Sequence, residues 1–404
     1  MGLRPLLLPA VLLAMPVLSI AADTGNPPPA PAGQEALPGV KMAEAVSATT
    51  GVAISPLLGV SAVGAWRYWQ TPPEARGHVP WFAHPWFWGP ALFVVLLLAA
   101  KEPLLYFFPG AKKPLDLLEV VENKASALLA APVVLQMAIA VFQSAAEAGR
   151  ATTPVVTAGF DPGVWLGAAA AGVGLLLIFG CVWLVAHTVN ILILLSPSAT
   201  LDMILRGGRT MVLVAVGLSS CLNVWFGLAV SLLVLLVAVR CFGWAWRLTI
   251  YGTTVAVDWL GFRREPPLDP ARGVRAFTAR AAGGLPVRSR GVLRMAVTGE
   301  PEFRGRALPW LPAHVVPVQA AGAVVARSFP GVHVRVSGGN RTVRAFVLPP
   351  RFRGQEEALG RAFGIEVDLE NPIARSLRAA WSWLTETVAA TANTRVLDDG
   401  GGVS

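Results

Sequence analysis

Gly163–Leu195 (GVWLGAAAAGVGLLLIFGCVWLVAHTVNILILL) and Met211–Val239 (MVLVAVGLSSCLNVWFGLAVSLLVLLVAV) decide the fold class. The first runs 33 residues with one His and no formal charge; the second runs 29 residues with neither. About 20 consecutive apolar residues cross a hydrocarbon core, and few soluble folds use stretches this clean. Working outward, Ala43–Trp66, Phe87–Phe108 and Ala125–Phe142 read as three further spans. The fold class expected is therefore an all-α membrane bundle of about five transmembrane helices over residues 43–262. A small, mainly β barrel or sandwich with a closing helix follows it. Only 14% of the chain is charged, against about 25% in soluble domains.

The first 42 residues divide in two. Arg4 followed by the apolar run Leu6–Leu18 and the small residues near Ala21 reads as a secretory signal over 1–21. An uncleaved first anchor is the alternative. Residues 22–42 hold the Pro-rich tract Asn26–Gly33 (NPPPAPAG), expected to be an extended linker. With the signal removed, five spans place the C-terminal domain in the cytoplasm of a cell whose inner membrane holds the bundle. A break at Asn223, which would make Met211–Val239 two half-depth helices, reverses that count. Basic residues in the loops are evenly split and give no vote.

Polar residues inside the spans are the candidate sites. Lys101 and Glu102, followed by Pro103, stand deep in the second span. Charges there are costly in lipid, so they lie either at the interface or toward a polar interior. His187 and Asn190 fall one turn apart on the fourth span, and Asp202 opens a short amphipathic segment after it. His187 and Asn190 suit either interhelical hydrogen bonding or an ion or proton relay. Asp202 with Arg206, and Lys112 with Asp116, have the i, i+4 spacing of helical ion pairs. A cation site on Asp116, Glu119 and Glu122 is the alternative use of the second segment. Pro56 predicts a kink in the first span. The aromatics between Trp66 and Trp88 mark a headgroup zone or a groove.

Beyond residue 262 the period changes. Seven short β-branched or alternating runs lie between Val274 and Leu348, with turns such as Gly283-Gly284 and Pro330-Gly331 between them. A helix over Gln355–Phe363 follows, so residues 266–364 form the β-domain. Residues 372–392 read as an amphipathic helix, and 393–404 as a disordered tail. Residues 263–404 carry 20 Arg and no Lys against 12 acidic residues. Codon usage of a GC-rich genome accounts for this, or attraction to an anionic surface does. Arg288, Arg290 and Arg294, evenly spaced on one strand, are the candidate anion or lipid contact; a solvated face is the bland alternative.

Ile54–Gly64 (ISPLLGVSAVG), Lys112–Ala127 (KKPLDLLEVVENKASA) and Leu194–Leu205 (LLSPSATLDMIL) resemble segments of uncharacterised bacterial multi-spanning membrane proteins. That likeness implies no activity. Seven strands and a closing helix are similar in outline to pleckstrin-homology-like domains, which implies a small barrel that binds lipid headgroups, peptides or nothing.

Protease, Walker and dinucleotide signatures do not occur. His78, His84, His187, His314 and His333 make no ligand pair, and no metal or cofactor is expected. Two functions remain. One is a non-enzymatic membrane protein whose basic β-domain contacts a partner protein or anionic lipid, with no nucleic acid. The other is an ion or small-solute permease built on Lys101, Glu102, His187, Asn190 and Asp202.

Overall fold

The computed structural model describes residues 38–107, 112–152, 162–196, 198–261, 268–327, 330–338 and 341–368. The expected signal, most of the linker, the 372–392 helix and the tail lie outside them. Two compact units are formed: Met1–Leu194 with Asp202–Arg240, and Leu195–Leu201 with Cys241–Ser404.

The helical unit contains α1 (Pro38–Ile54), α2 (Pro56–Gln70), α3 (Pro85–Phe107), α4 (Lys112–Thr152), α5 (Pro162–Leu195), α6 (Ala199–Leu222) and the first part of α7 (Val224–Trp259). Among the described residues two stretches, Ala169–Leu195 and Val224–Trp259, are long and apolar enough to cross a membrane.

Side-chain size is sorted in a telling way. The buried set is rich in Ala and small polar residues: Ala53, Ala62, Ala130, Thr49, Thr50 and Ser61 are sealed off. The outward set is large and apolar. Leu128, Leu166, Met211, Leu222 and Leu236 are each at least 66% exposed. Water would drive the opposite arrangement. In lipid, small residues at the interfaces let helices approach and large ones face the tails.

Two expected spans turn out to be bent pairs. The chain folds back at Ser55–Pro56, so Ala43–Trp66 is α1 and α2 rather than one kinked helix. Pro56 has no N–H and takes the first helical position of α2, where that loss is harmless. Gly59 then lies against Val52; a Cβ at 59 would stand 2.8 Å from the Val52 Cα. Met211–Val239 breaks likewise at Asn223. Its Oδ1 accepts from the Trp225 and Phe226 N–H groups at 2.8 and 3.4 Å, the bonding of an N-cap. Gly227 there abuts Ser220, with a virtual Cβ 2.8 Å from the Ser220 Cα. Residues seven apart on a straight helix are about 10 Å apart, so both bends are sharp.

In the sheet unit, β1 (Val274–Thr278), β2 (Arg290–Met295), β3 (Pro301–Arg306), β4 (His314–Pro317), β5 (Val324–Arg327), β6 (Val332–Gly338) and β7 (Arg341–Leu348) match the seven expected runs. α8 (Glu356–Phe363) follows, and then β8 (Glu366–Asp368), which the sequence reading did not include. All eight form one mixed sheet in the order β4-β3-β2-β1-β7-β6-β5-β8. Only β5 and β8 pair in parallel. One face buries Val274, Leu293, Phe303, Val334, Phe346 and Leu348 with Leu359 and Phe363 of α8. The alternation along β3, with Phe303 buried and Arg304 exposed, is that of a half-buried strand. Over the other face runs the last part of α7, where Tyr251 meets Phe277 edge-on at 5.1 Å.

Gly59→Ala forces backbone against backbone and is expected to lower the stability of the detergent-solubilised protein by about 1–3 kcal/mol. Gly89→Ala, with nothing within 4 Å of the added carbon, leaves the melting temperature unchanged or slightly raised.

Candidate functional site

A cleft of about 460 Å³ opens on the sheet unit between α7 and the outer face of β1–β3. Strand register builds it. Arg275 faces Val292, Val292 faces Arg304, and Arg290 faces Arg306 directly. These side chains therefore share one face, because residues opposite in a ladder point the same way. Arg247 from α7 and Arg288 from the turn before β2 complete a lining of six arginines. Among the described residues no Asp or Glu lines the cleft, and neither does a Ser, Cys or His. Like charges directly opposite on a sheet are destabilising, so Arg290 beside Arg306 costs the fold something that an anion would return.

Arg288 is held most firmly. It is 4% exposed and has φ 62°, the left-handed region that costs a non-glycine residue about 1–3 kcal/mol. Its guanidinium lies 4.6 Å from the centre of the Tyr251 ring, a cation–π contact. Arg247 donates from Nε to the Val287 carbonyl at 3.0 Å, tying α7 to the same turn. Arg290 and Arg304 are exposed. Along one wall runs the uncharged loop Ala307–Ala313 (ALPWLPA), where Trp310 is 65% exposed and packs on Trp246 at 6.1 Å.

Of the three arginines singled out from the sequence, Arg288 and Arg290 line this cleft. Arg294 does not; its Nε donates to Oε1 of Glu302 at 2.6 Å. Arg288 stands outside β2 in a turn, so even spacing was the wrong ground for including it. Arg247, Arg275, Arg304 and Arg306 were missed. Each outward Arg alternates with buried residues in its strand, a legible signal, but the register that unites them was not.

The intramembrane candidates come together only in part. Lys101 and Glu102 lie on α3, with side chains outside the described residues. His187 is fully buried on α5, its Nδ1 3.0 Å from Oδ1 of Asn123 on α4. Asn190 accepts at Oδ1 from Nη1 of Arg209 at 2.7 Å. Arg209 also donates from Nε and Nη2 to the Ile54 carbonyl at 3.0 and 2.7 Å, capping the broken end of α1. Asp202 is buried in the first turn of α6. Arg206 reaches across to Asp116 at 3.0 Å and Glu119 at 3.6 Å. Asn123, Trp183 and Arg209 were not foreseen. Among the described residues no group of three His, Cys, Asp or Glu side chains is placed to hold a metal ion.

No protein-family model matches the chain, and neither does a curated protein or a solved structure.

Two outcomes are expected here. Arg209→Met removes three hydrogen bonds from a charged donor, each worth about 1.5–3 kcal/mol. A stability loss of roughly 3 kcal/mol or more, read in detergent melts, should follow, and Arg209→Lys should recover only part of it. His333 on β6 is 2% exposed, and burial holds its imidazole well below the ordinary range, with Arg344, Arg288, Arg335 and Arg353 acting the same way. The folded domain keeps this ring neutral, while the unfolded chain takes up a proton below about pH 6.5. Protonation then favours unfolding, so stability is full above that pH and falls as acid is added. Amide exchange of β6 and β7, corrected for intrinsic rates, should be at least about tenfold less protected at pH 5 than at pH 7. In His333→Phe that difference should vanish.

Proposed function

We propose that this chain is a non-enzymatic integral membrane protein whose β-domain receives anionic lipid headgroups in its arginine cleft. The single observation that carries the reading is six guanidinium groups converging on one cleft, with no carboxylate in its lining among the described residues. A lining without nucleophile or general base suits capture rather than chemistry. Phosphate matches the planar fork of Arg, which can bond two oxygens at once. Lipid is favoured over a protein partner by the cleft's borders. Trp246 and the exposed Trp310 and Leu311 are apolar bodies of the kind that sit at a headgroup boundary. Trp246 also lies only a few residues beyond the apolar run Val224–Val239 on the same helix.

The bends at Ser55 and Asn223 support a cytoplasmic β-domain in the bacterial inner membrane. Each converts one expected span into a pair of helices that returns to the side it entered. One break alone would reverse the sidedness given by five spans; two restore it. With the N-terminus exported and each bent pair returning to the side it entered, α3, α4 and α5 make the net crossings, and the domain ends inside.

In neutral-detergent micelles or nanodiscs, the full-length protein should retain phosphatidylglycerol over phosphatidylcholine, with an affinity that weakens as salt rises. Arg290→Ala with Arg304→Ala, both exposed positions, should lower that preference at least about tenfold, equivalent to about 1.4 kcal/mol. Equal retention of the two lipids by the unmutated protein would remove the basis of the reading.

A further inference from the structure

Two buried polar atoms on α5 have hydrogen-bonding roles that their neighbours dictate. A guanidinium only donates. Since Arg209 bonds Asn190, the amide oxygen must face it, and Nδ2 is turned elsewhere as a donor. Asn190 is 1% exposed, and Nδ2 finds no acceptor among the described residues.

His187, one turn earlier, is fixed in the same way. Its ring stacks on Trp183 at 5.1 Å and 16°. The Trp183 indole N–H donates to Oδ1 of Asn123 at 3.1 Å, and an indole nitrogen can do nothing else. The oxygen of Asn123 is therefore the atom presented to both rings, so Nδ1 of His187 carries the proton it shares with it. Nε2 is left with its lone pair, and no donor meets it among the described residues.

A donor and an acceptor of fixed polarity thus stand one helical turn apart, about 5–6 Å between Cβ atoms. Both are sealed from solvent. Unmade bonds of this kind are expensive, and native interiors seldom keep them. The surrounding helices are also broken rather than continuous. Arg209 joins Asn190 to the free end of α1 at Ile54. Discontinuous helices with Pro or Gly at the break are the usual means of bringing polar groups to a solute at membrane depth.

We propose that the helical unit binds a small neutral solute between His187 and Asn190, one that donates to Nε2 and accepts from Nδ2. Charge selects neutrality. Nε2 of the neutral ring and the amide Nδ2 carry no formal charge, so the pair complements an uncharged donor and acceptor.

The test uses the full-length protein with 15N-labelled histidine in nanodiscs, the His187 signals being assigned by their loss in His187→Gln. The expected spectrum is a neutral ring protonated at Nδ1, with an Nε2 resonance that shifts when glycerol is added and stays fixed with sucrose or potassium chloride. A ring protonated at Nε2, an imidazolium at neutral pH, or an Nε2 signal indifferent to glycerol would overturn the proposal. In proteoliposomes, stopped-flow light scattering should report glycerol entry faster than in protein-free vesicles, and His187→Phe, which keeps the stack on Trp183, should slow that entry at least tenfold. Glycerol entry unchanged by a folded His187→Phe would also overturn it. Should that variant fail to fold, the spectrum of the unmutated protein decides alone.

Discussion

A helix that ends inside an apolar bundle leaves carbonyl groups without donors, and no water stands by to supply them. The geometry of the helical unit follows from how that demand is met at Ile54. Pro56 favours the break, since it offers α1 no N–H to continue its ladder. Arg209 then closes the open end with two bonds to the Ile54 carbonyl and extends a third to Asn190. One guanidinium therefore links α1, α5 and α6. It also sets the amide of Asn190, and through the shared turn of α5 it stands beside His187. A residue placed to satisfy backbone chemistry is in this way the residue that orients a possible binding site.

The sheet unit rests on a different constraint, the strict alternation of a pleated strand. Phe303 points into the core, so Arg304 must point out, and Gly305 is followed by Arg306 on the outward side again. Because Gly291 and Gly305 lie against the Phe303 ring, β2 and β3 close tightly there and their outward arginines are brought side by side. Tyr251 and Phe277 fasten α7 across the same face, which turns a flat basic surface into a cleft with a floor and a wall.

Much of the sheet unit was legible in the sequence. Seven strands and the helix fell where period-two runs and Gly or Pro turns placed them. β8 escaped because three residues carry no period. In the membrane region the apolar runs were plain, yet hydropathy sums over a window and is blind to a bend within it. Ile54–Ser55–Pro56 was read as a kink, whereas Gly59 against Val52 makes it a fold-back. Asn223 was weighed as a break, and its capping bonds to Trp225 and Phe226 are the reason it is one. The polar residues of the spans were visible one by one. Their partners were not: Asn123 and His187 are 64 positions apart, and Arg209 and Ile54 are 155 apart, separations that no local spacing encodes.

Arginine content raises the question of whether the cleft is chemistry or merely codon usage. A genome-wide bias would act on the whole chain alike. Yet all five lysines, Lys41, Lys101, Lys112, Lys113 and Lys124, precede the sheet domain, while the 20 basic residues after 262 are all Arg. Partnering divides those arginines further. Arg294, Arg327, Arg335 and Arg351 pair with Glu302, Glu356, Asp368 and Asp258. In each case a carboxylate takes up the charge. Among the described residues the cleft is lined by six guanidiniums, two of them directly opposite across the β2–β3 ladder and a third in a strained backbone conformation beside an aromatic ring. Codon bias explains an arginine at any one of these positions, but it does not explain their convergence, and it supplies no reason for the strain at Arg288. The proposed ligand, rich in oxygen and negative charge, accounts for that convergence.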